Sequence, residues 1–249
     1  MTVPPVPDSA ARRWQAAVEW GAAGWFARAR TMLDTLVADA GVAPVYRSLA
    51  QSTRGSLTRQ LGGHRDAAID DGAAFVRVVR DATPLGATAR TDALVGLAAD
   101  ALGTRRLVLS RSLLARARAE AGPAAPRALL RIDWVSAKLA LAGGDAAAAL
   151  GPARAALVAA RELASPRHVL KSRLILAAAS CATDPVSADA EAADIEERCA
   201  AAGLVPLMWA AAMLRTGIAA DADGRARAHA RARSSARVLG ERGGMPAGM

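Results

Sequence analysis

Three histidines and one run of carboxylates are the side chains of this sequence best suited to acid–base or metal chemistry. His64, His168 and His229 lie far apart in the chain, and none belongs to a His-x-x-x-His pair. Zinc sites draw ligands from short, fixed spacings of this kind, so we predict no metal site. We expect His168 and His229 to lie among arginines on exposed helix surface.

The run of carboxylates consists of five acidic residues between positions 189 and 197. Without a pocket or a metal, such a run is typical of a solvated helix face that forms weak ion pairs with neighbouring arginines. The sequence has neither a Gly-x-Ser-x-Gly elbow nor a phosphate-cradling Gly-x-x-x-x-Gly-Lys loop. We therefore predict that the chain is not an enzyme and binds no cofactor.

The charge of the chain is strongly positive. Its formal net charge is +9 and its pI is about 11.1, values that also occur in nucleic-acid-binding proteins. Only Lys138 and Lys171 are lysines, however, and all other basic residues apart from histidine are arginines. The codon usage of a high-GC genome supplies arginine without selection for a ligand, so genomic bias and nucleic-acid binding are alternative explanations of the charge.

The elements that position these residues are predicted to be helices alone. Aromatic residues make up 3% of the chain, strand-forming residues are scarce, and alanine supplies much of the 53% hydrophobic content. The apolar run at 203–214 is too short to cross a bilayer, and the first eight residues do not resemble a signal peptide. We expect a cytoplasmic protein without a membrane partner.

A glycine-containing turn recurs along the chain. In the stretch from Leu61 to Ile69, two glycines separate two amphipathic helical patterns, and similar stretches surround Gly24, Gly103 and Gly144. A set of apolar residues follows these turns at spacings of 38, 41 and 41 residues, namely Ala29, Ala67, Val108 and Ala149. A period near 40 residues predicts a solenoid of helix pairs.

The predicted domain is a single array of about six antiparallel helix pairs over residues 9–239. The pairs are expected at 9–41, 45–81, 87–121, 126–163, 166–202 and 206–239. The last helix should form a terminal cap with a solvated outer surface, and we predict disorder for residues 1–8 and 240–249.

The order of residues within each repeat resembles the tetratricopeptide repeat family over about residues 10–160. In the second repeat a small residue, a glycine, a ring and an alanine follow one another at the family's spacing, as Gly55, Gly62, His64 and Ala67. The chain departs from the family in its period, which exceeds 34 residues, and in lacking a proline after each second helix. The resemblance implies an α-α superhelix whose first helices line a concave groove.

The family's groove positions map onto nine residues: Ser52, Arg59, Arg90, Leu97, Asp100, Arg131, Trp134, Lys138 and Leu141. The resemblance implies that six of these bind a partner: Ser52, Arg59, Arg90, Arg131, Trp134 and Lys138. A basic groove with one aromatic suits an acidic peptide or helix, so we predict a protein–protein interaction module. Three alternatives remain open: nucleic-acid binding through the arginines of 225–237, self-association, or the sensory helical region of a bacterial regulator.

Overall fold

The structure, a computed structural model, describes residues 9–121 and 125–244, which contain twelve α-helices and no strand. The helices are α1 (Ala10–Ala22), α2 (Phe26–Ala38), α3 (Pro44–Gln60), α4 (His64–Val78), α5 (Pro84–Gly103), α6 (Leu107–Ala121), α7 (Pro126–Ala142), α8 (Ala146–Glu162), α9 (Pro166–Ser180), α10 (Pro185–Ala201), α11 (Val205–Ile218) and α12 (Ala222–Glu241). Successive helices pack against each other as six pairs. The predicted all-α, solenoid-like class is confirmed.

Prolines and capping side chains determine where many of these helices begin. Six of the helices carry proline in their first turn, where the missing N–H has no intrahelical partner to lose. Thr83, which precedes Pro84, accepts a 3.0 Å hydrogen bond from the Gly86 N–H. Such a cap contributes about 1 kcal/mol to helix stability.

The turns within the first four pairs each contain a left-handed residue. Gly24, Gly62 and Gly144 have φ values of 85°, 88° and 81°, and the residue five positions later is a fully buried alanine in each case. In the α5–α6 turn the left-handed residue is Arg105, with φ 62°, and five positions later Ser110 is fully buried. The first four pairs therefore share one turn geometry, although the third pair uses no glycine at this position, whereas the α9–α10 and α11–α12 turns contain no left-handed residue.

The predicted register of the third repeat is wrong by two residues. Val108, predicted to be equivalent to Ala67 and Ala149, is 86% exposed, and Ser110 takes the buried position. Helix α5 continues through Gly103, the glycine that the sequence suggested for the turn. Gly103 lacks a Cβ for a different reason, because a Cβ there would overlap with the His64 ring from the preceding pair.

The twelve helices form an inner and an outer layer. Each odd-numbered helix contacts the next odd-numbered helix, and α11 contacts α1, so the six odd-numbered helices form a closed inner ring. The even-numbered helices α2 to α10 each pack against the odd-numbered helices on either side of them in the chain. The inner face predicted from the repeat pattern is thus the interior of a ring.

The two ends of the array meet through a closing segment, residues 239–244. The Arg242 carbonyl accepts a 2.9 Å hydrogen bond from the Ala27 N–H, and Arg242 Nη1 donates to the Ala23 carbonyl at 2.7 Å. Leu239 and Phe26 share one hydrophobic cluster with residues of α1, α3 and α11. The structure thus departs from the predicted disorder at 240–244, because these residues pack on the first pair, while Arg227, Arg233 and Arg237 of the last helix are exposed. Residues 1–8 and 245–249, also predicted to be disordered, lie outside the described residues.

Candidate functional site

Ser52 and Arg59, two of the predicted groove residues on α3, bind carboxylates of the same chain. Ser52 Oγ donates a 2.6 Å hydrogen bond to Asp71 Oδ1 on α4. Arg59 Nε donates to Asp100 Oδ1 on α5 at 2.7 Å, and its Nη2 contacts the Asp71 carboxylate. One guanidinium therefore joins two acidic side chains from two other helices.

The environment of these carboxylates changes their proton affinity. Burial raises the pKa of Asp71 to about 7, although the Arg59 charge and the Ser52 hydrogen bond act in the opposite direction. Burial likewise raises the pKa of Asp100, against the charge of Arg59. A Cβ at Gly96 would overlap with the Asp71 carboxylate, so the α5 backbone lies directly against this group. The cluster is tightly packed and links α3, α4 and α5.

Arg131, a third predicted groove residue, shares one buried carboxylate with Arg127. Arg127 Nη1 lies 2.9 Å from Asp92 Oδ2, and Arg131 Nη1 contacts Asp92 Oδ1. Burial alone would raise the pKa of Asp92, but the charges of Arg131 and Arg127 outweigh it and the pKa is lowered. Two guanidinium groups on α7 thus share a single negative charge on α5.

Arg90, the fourth predicted residue, is held at the junction of α4 and α5. Its Nε donates to Glu120 Oε2 at 3.0 Å, and its Nη1 donates to the Val78 carbonyl at 3.1 Å and to the Asp81 carbonyl. Three acceptors from the same chain therefore surround its guanidinium. We assign Arg90 a structural role.

Trp134 on α7 forms the centre of a different group of side chains. It is 5% exposed, and its Nε1–H donates a 2.8 Å hydrogen bond to Ser172 Oγ on α9. Lys171 Nζ lies 4.0 Å from the centroid of its ring, within the range of a cation–π interaction. The His168 ring meets it edge-on, with 5.3 Å between the centroids.

Lys138 lies on α7 one helical turn beyond Trp134. Neither Lys138 nor Lys171 forms an ion pair or hydrogen bond with another residue in the described ranges 9–121 and 125–244. Crowding by protein atoms and the charge of Arg59 lower the pKa of Lys138, while the residue remains exposed to solvent. We infer from this combination that Lys138 lies on a concave surface that water still enters.

Lys171 experiences several other cations. Burial lowers the pKa of its ammonium well below the usual range, and the charges of Lys138, Arg131 and Arg167 lower it further. Trp134, Lys138, His168 and Lys171 together form what we call the lysine site. Both lysines of the chain therefore belong to one site, although they lie on two helices, α7 and α9.

The first helix of the array contacts the helices of the lysine site. Arg167 Nη2 on α9 lies 3.9 Å from Glu19 Oε1 on α1, and the Arg127 guanidinium lies 6.0 Å from the centroid of the Trp14 ring on α1. These contacts link residues that are distant in sequence. They place the lysine site in the interior of the ring formed by the odd-numbered helices.

The prediction that His168 lies on exposed helix surface is wrong. The residue is half-buried, and its Nδ1 is buried without a hydrogen-bond partner in the described part of the chain. Burial, with the charges of Arg167 and Lys171, lowers its pKa to about 4. His168 is therefore neutral at neutral pH, since charging it would add a further cation to an already positive region.

The six predicted groove residues thus have different environments. Ser52, Arg59, Arg90 and Arg131 are bound to acceptors of their own chain, and Trp134 is buried. Lys138 is exposed and has no partner among the described residues. The sequence reasoning missed Lys171 and His168, because the repeat pattern fades before α9. Their spacing of three residues, which places them on one helix face, was the available signal.

No protein-family model matches the chain, and neither curated proteins nor solved structures give a significant match. Among the described residues, no helix is both long enough and apolar enough to cross a membrane.

Proposed function

We propose that this chain is a non-catalytic binding protein with a tetratricopeptide-like array, which takes an acidic segment of a partner protein on its cationic inner face. The observation that carries the proposal is the pair of lysines beside Trp134, which lack a carboxylate partner in the described residues while the arginines around them have one. An acidic side chain would supply the missing negative charge.

Three further features support this function. Codon bias toward arginine explains the general positive charge but does not explain why the two lysines of the chain occupy one site on two helices. The buried Trp134 ring lies against the Lys171 ammonium group and fixes its position, so less ordering is needed when an acidic group binds. Lys138 is open to solvent, so an incoming acidic group has access to the site.

Three of the five arginines of α12 have acceptors within the described residues, which weakens the nucleic-acid alternative. Arg231 binds Glu196 and Glu197, Arg225 donates to the carbonyls of Ala219 and Ala220, and Arg237 lies 3.3 Å from Glu241. The aromatic side chains that single-stranded nucleic acids need for stacking are absent from the sequence of this helix.

The test measures direct binding of a fluorescein-labelled polyglutamate peptide with blocked ends, and fluorescence anisotropy is the readout. Lys138→Glu with Lys171→Glu should weaken binding about tenfold or more, because each loses a charge-assisted contact and adds repulsion. The matched control is Arg154→Glu with Arg161→Glu, which makes the same charge change on the exposed face of α8.

The outcomes separate the proposal from its alternatives. Retained binding in the α8 control and lost binding in the lysine variant support an inner acidic-segment site. Equal losses in both variants would show that only net charge matters and would overturn the proposal. A labelled oligonucleotide that binds where the peptide does not would assign the protein to nucleic-acid binding instead.

A further inference from the structure

The interior of the ring has an excess of positive charge that can be counted. Six cationic side chains interact there through their charges: Arg59, Arg127, Arg131, Lys138, Arg167 and Lys171. Four carboxylates are paired with members of this group, namely Glu19, Asp71, Asp92 and Asp100. With all four ionised, two positive charges remain without a counterpart among these groups.

The excess is located at the lysine site. Each of the four arginines contacts at least one carboxylate, whereas Lys138 and Lys171 contact none in the described part of the chain. Lys171 Nζ is positioned over the Trp134 ring, and the Trp134 ring is itself held by its hydrogen bond to Ser172. The two uncompensated charges therefore lie on ammonium groups beside a rigid aromatic surface.

A third polar group is available at the same place. His168 Nδ1 is buried and has no hydrogen-bond partner among the described residues, and a buried polar atom without a partner is costly. The His168 ring packs against Trp134, as Lys171 does. In the tautomer that carries its proton on Nδ1, His168 is a neutral donor, and the charges of Arg167 and Lys171 act on its ring.

A compact group with two negative charges matches this arrangement better than a single carboxylate does. A phosphate monoester is such a group at neutral pH, and its three terminal oxygens accept several hydrogen bonds at once. Lysine ammonium groups bind phosphate as point charges without a demanding geometry. Burial lowers the pKa of both lysines and neighbouring cations lower it further, and an adjacent anionic ligand would offset part of this effect.

We propose that the lysine site is a phosphate-binding site, in which Lys138 and Lys171 pair with the dianion and His168 donates to one of its oxygens. The phosphate group belongs either to a free small molecule or to a phosphorylated side chain of the partner. This inference rests on the proposed function for its location on the inner face, but a free phosphate occupies the site without any peptide.

The chain offers an unusually direct test, because it has only two lysines. Reductive methylation with ¹³C-formaldehyde labels both lysines and the amino terminus and keeps their positive charge, so the NMR spectrum contains three kinds of signal. Inorganic phosphate is then titrated at constant ionic strength, with chloride as the reference salt. The two lysine signals should shift along one saturable curve, while the amino-terminal signal stays in place.

The pH dependence of the same signals gives a second readout. Bound phosphate should move the pKa of Lys171 upward toward its usual range, since an adjacent dianion favours the charged ammonium. The charges that act on the pKa of Lys171 are those of Lys138, Arg131, Arg167 and Arg59, all cations, and His168 packs on the same Trp134 ring, so no existing carboxylate accounts for such a rise. Shifts that follow ionic strength, or that chloride reproduces, would overturn the proposal.

Variants connect the effect to the named residues. Lys138→Gln should weaken phosphate binding about tenfold, and His168→Phe should weaken it less, because one loses a charge and the other a neutral donor. Arg154→Gln on α8 is the control with the same loss of charge. Phosphate-induced thermal stabilisation is also measured on the unmethylated proteins, to check that neither methylation nor misfolding causes the differences in phosphate binding. Equal stabilisation of wild type and Lys138→Gln would contradict the proposal.

Three probes distinguish this inference from the proposed function and identify the source of the phosphate. Inorganic phosphate that binds while polyglutamate does not would support the phosphate site and remove the acidic-segment function. Polyglutamate that binds while phosphate does not would do the reverse. A phosphoserine peptide that binds more tightly than both, and competes with phosphate, would support a phosphorylated partner as the source, whereas equal affinity for phosphate alone would favour a small molecule.

Discussion

The guanidinium of Arg59 on α3 and the carboxylate of Asp100 on α5 form an ion pair, with 2.7 Å between Nε and Oδ1. The two residues are 41 positions apart in the chain and belong to neighbouring helices of the inner ring. Because Arg59 also contacts Asp71, this side chain joins three helices. We therefore assign Arg59 a role in stabilising the fold rather than in binding a partner.

Replacing Arg59 by Met should destabilise the protein strongly. The change leaves Asp71 and Asp100 buried without their cation, and breaking such a pair costs about 3 kcal/mol or more. Arg118→Met is the control, since Arg118 is half exposed where it pairs with Asp133 and should contribute about 0.5 kcal/mol. Urea unfolding measures both. Similar losses in the two variants would show that the Arg59 cluster is solvated.

The stability of the protein should depend on the protonation of Asp71. Its pKa rises from an ordinary value of 3.8 to about 7, so the folded state holds a proton that the unfolded state has already released. This contribution is fully present below pH 3.8 and is lost as the pH rises to about 7. The difference in unfolding free energy between wild type and Asp71→Asn should therefore change across this window and be flat above it. A difference that is constant with pH would contradict the prediction.

Two helical glycines should respond in opposite ways to alanine. A Cβ at Gly96 would overlap with the Asp71 carboxylate, so Gly96→Ala should cost about 1 to 3 kcal/mol through overpacking. A Cβ at Gly72 on α4 would meet nothing within 4 Å, so Gly72→Ala should stabilise the protein by about 0.5 to 1 kcal/mol through helix propensity. Thermal unfolding of both variants tests this, and stabilisation by Gly96→Ala would show that the α4–α5 contact is looser than described.

Because the closing segment packs on the first pair, we predict that a change at Leu239 affects the local stability of α2. Leu239 is 2% exposed and packs in the same cluster as Phe26, so Leu239→Ala should cost about 3 kcal/mol and increase amide exchange in α2. Leu114→Ala, in the cluster formed by α5, α6 and α7, should cost a similar amount without this effect on α2. Hydrogen exchange measured by mass spectrometry distinguishes the two. Unchanged exchange in α2 of the Leu239 variant would indicate an open array.

The sequence was sufficient to predict the helices because their signals are local. Prolines at the first turn and glycines such as Gly62 act within a few residues, and the positions of the six pairs follow from them. The two-residue shift of register in the third repeat could not be predicted from local signals. Gly103 looks like a turn glycine, but its small size is required by His64, which approaches it from another pair.

The candidate site was only partly predictable for a similar reason. The repeat pattern predicts that Arg59 and Arg131 line a groove, but it contains no information about which side chains of the same chain contact them there. Asp71, Asp92 and Asp100 come from other helices and neutralise them. Which of the six inner cations lack a carboxylate depends on the complete three-dimensional arrangement, and among them these are the two lysines.

The meeting of α11 and the closing segment with the first pair also limits how this protein can evolve. An open solenoid gains or loses repeats by duplication or deletion, since each repeat contacts only its neighbours. Here the last pair and the first pair share a hydrophobic cluster and backbone hydrogen bonds. One additional pair would separate these surfaces and expose both, so a change in repeat number would require a new closing interface at the same time.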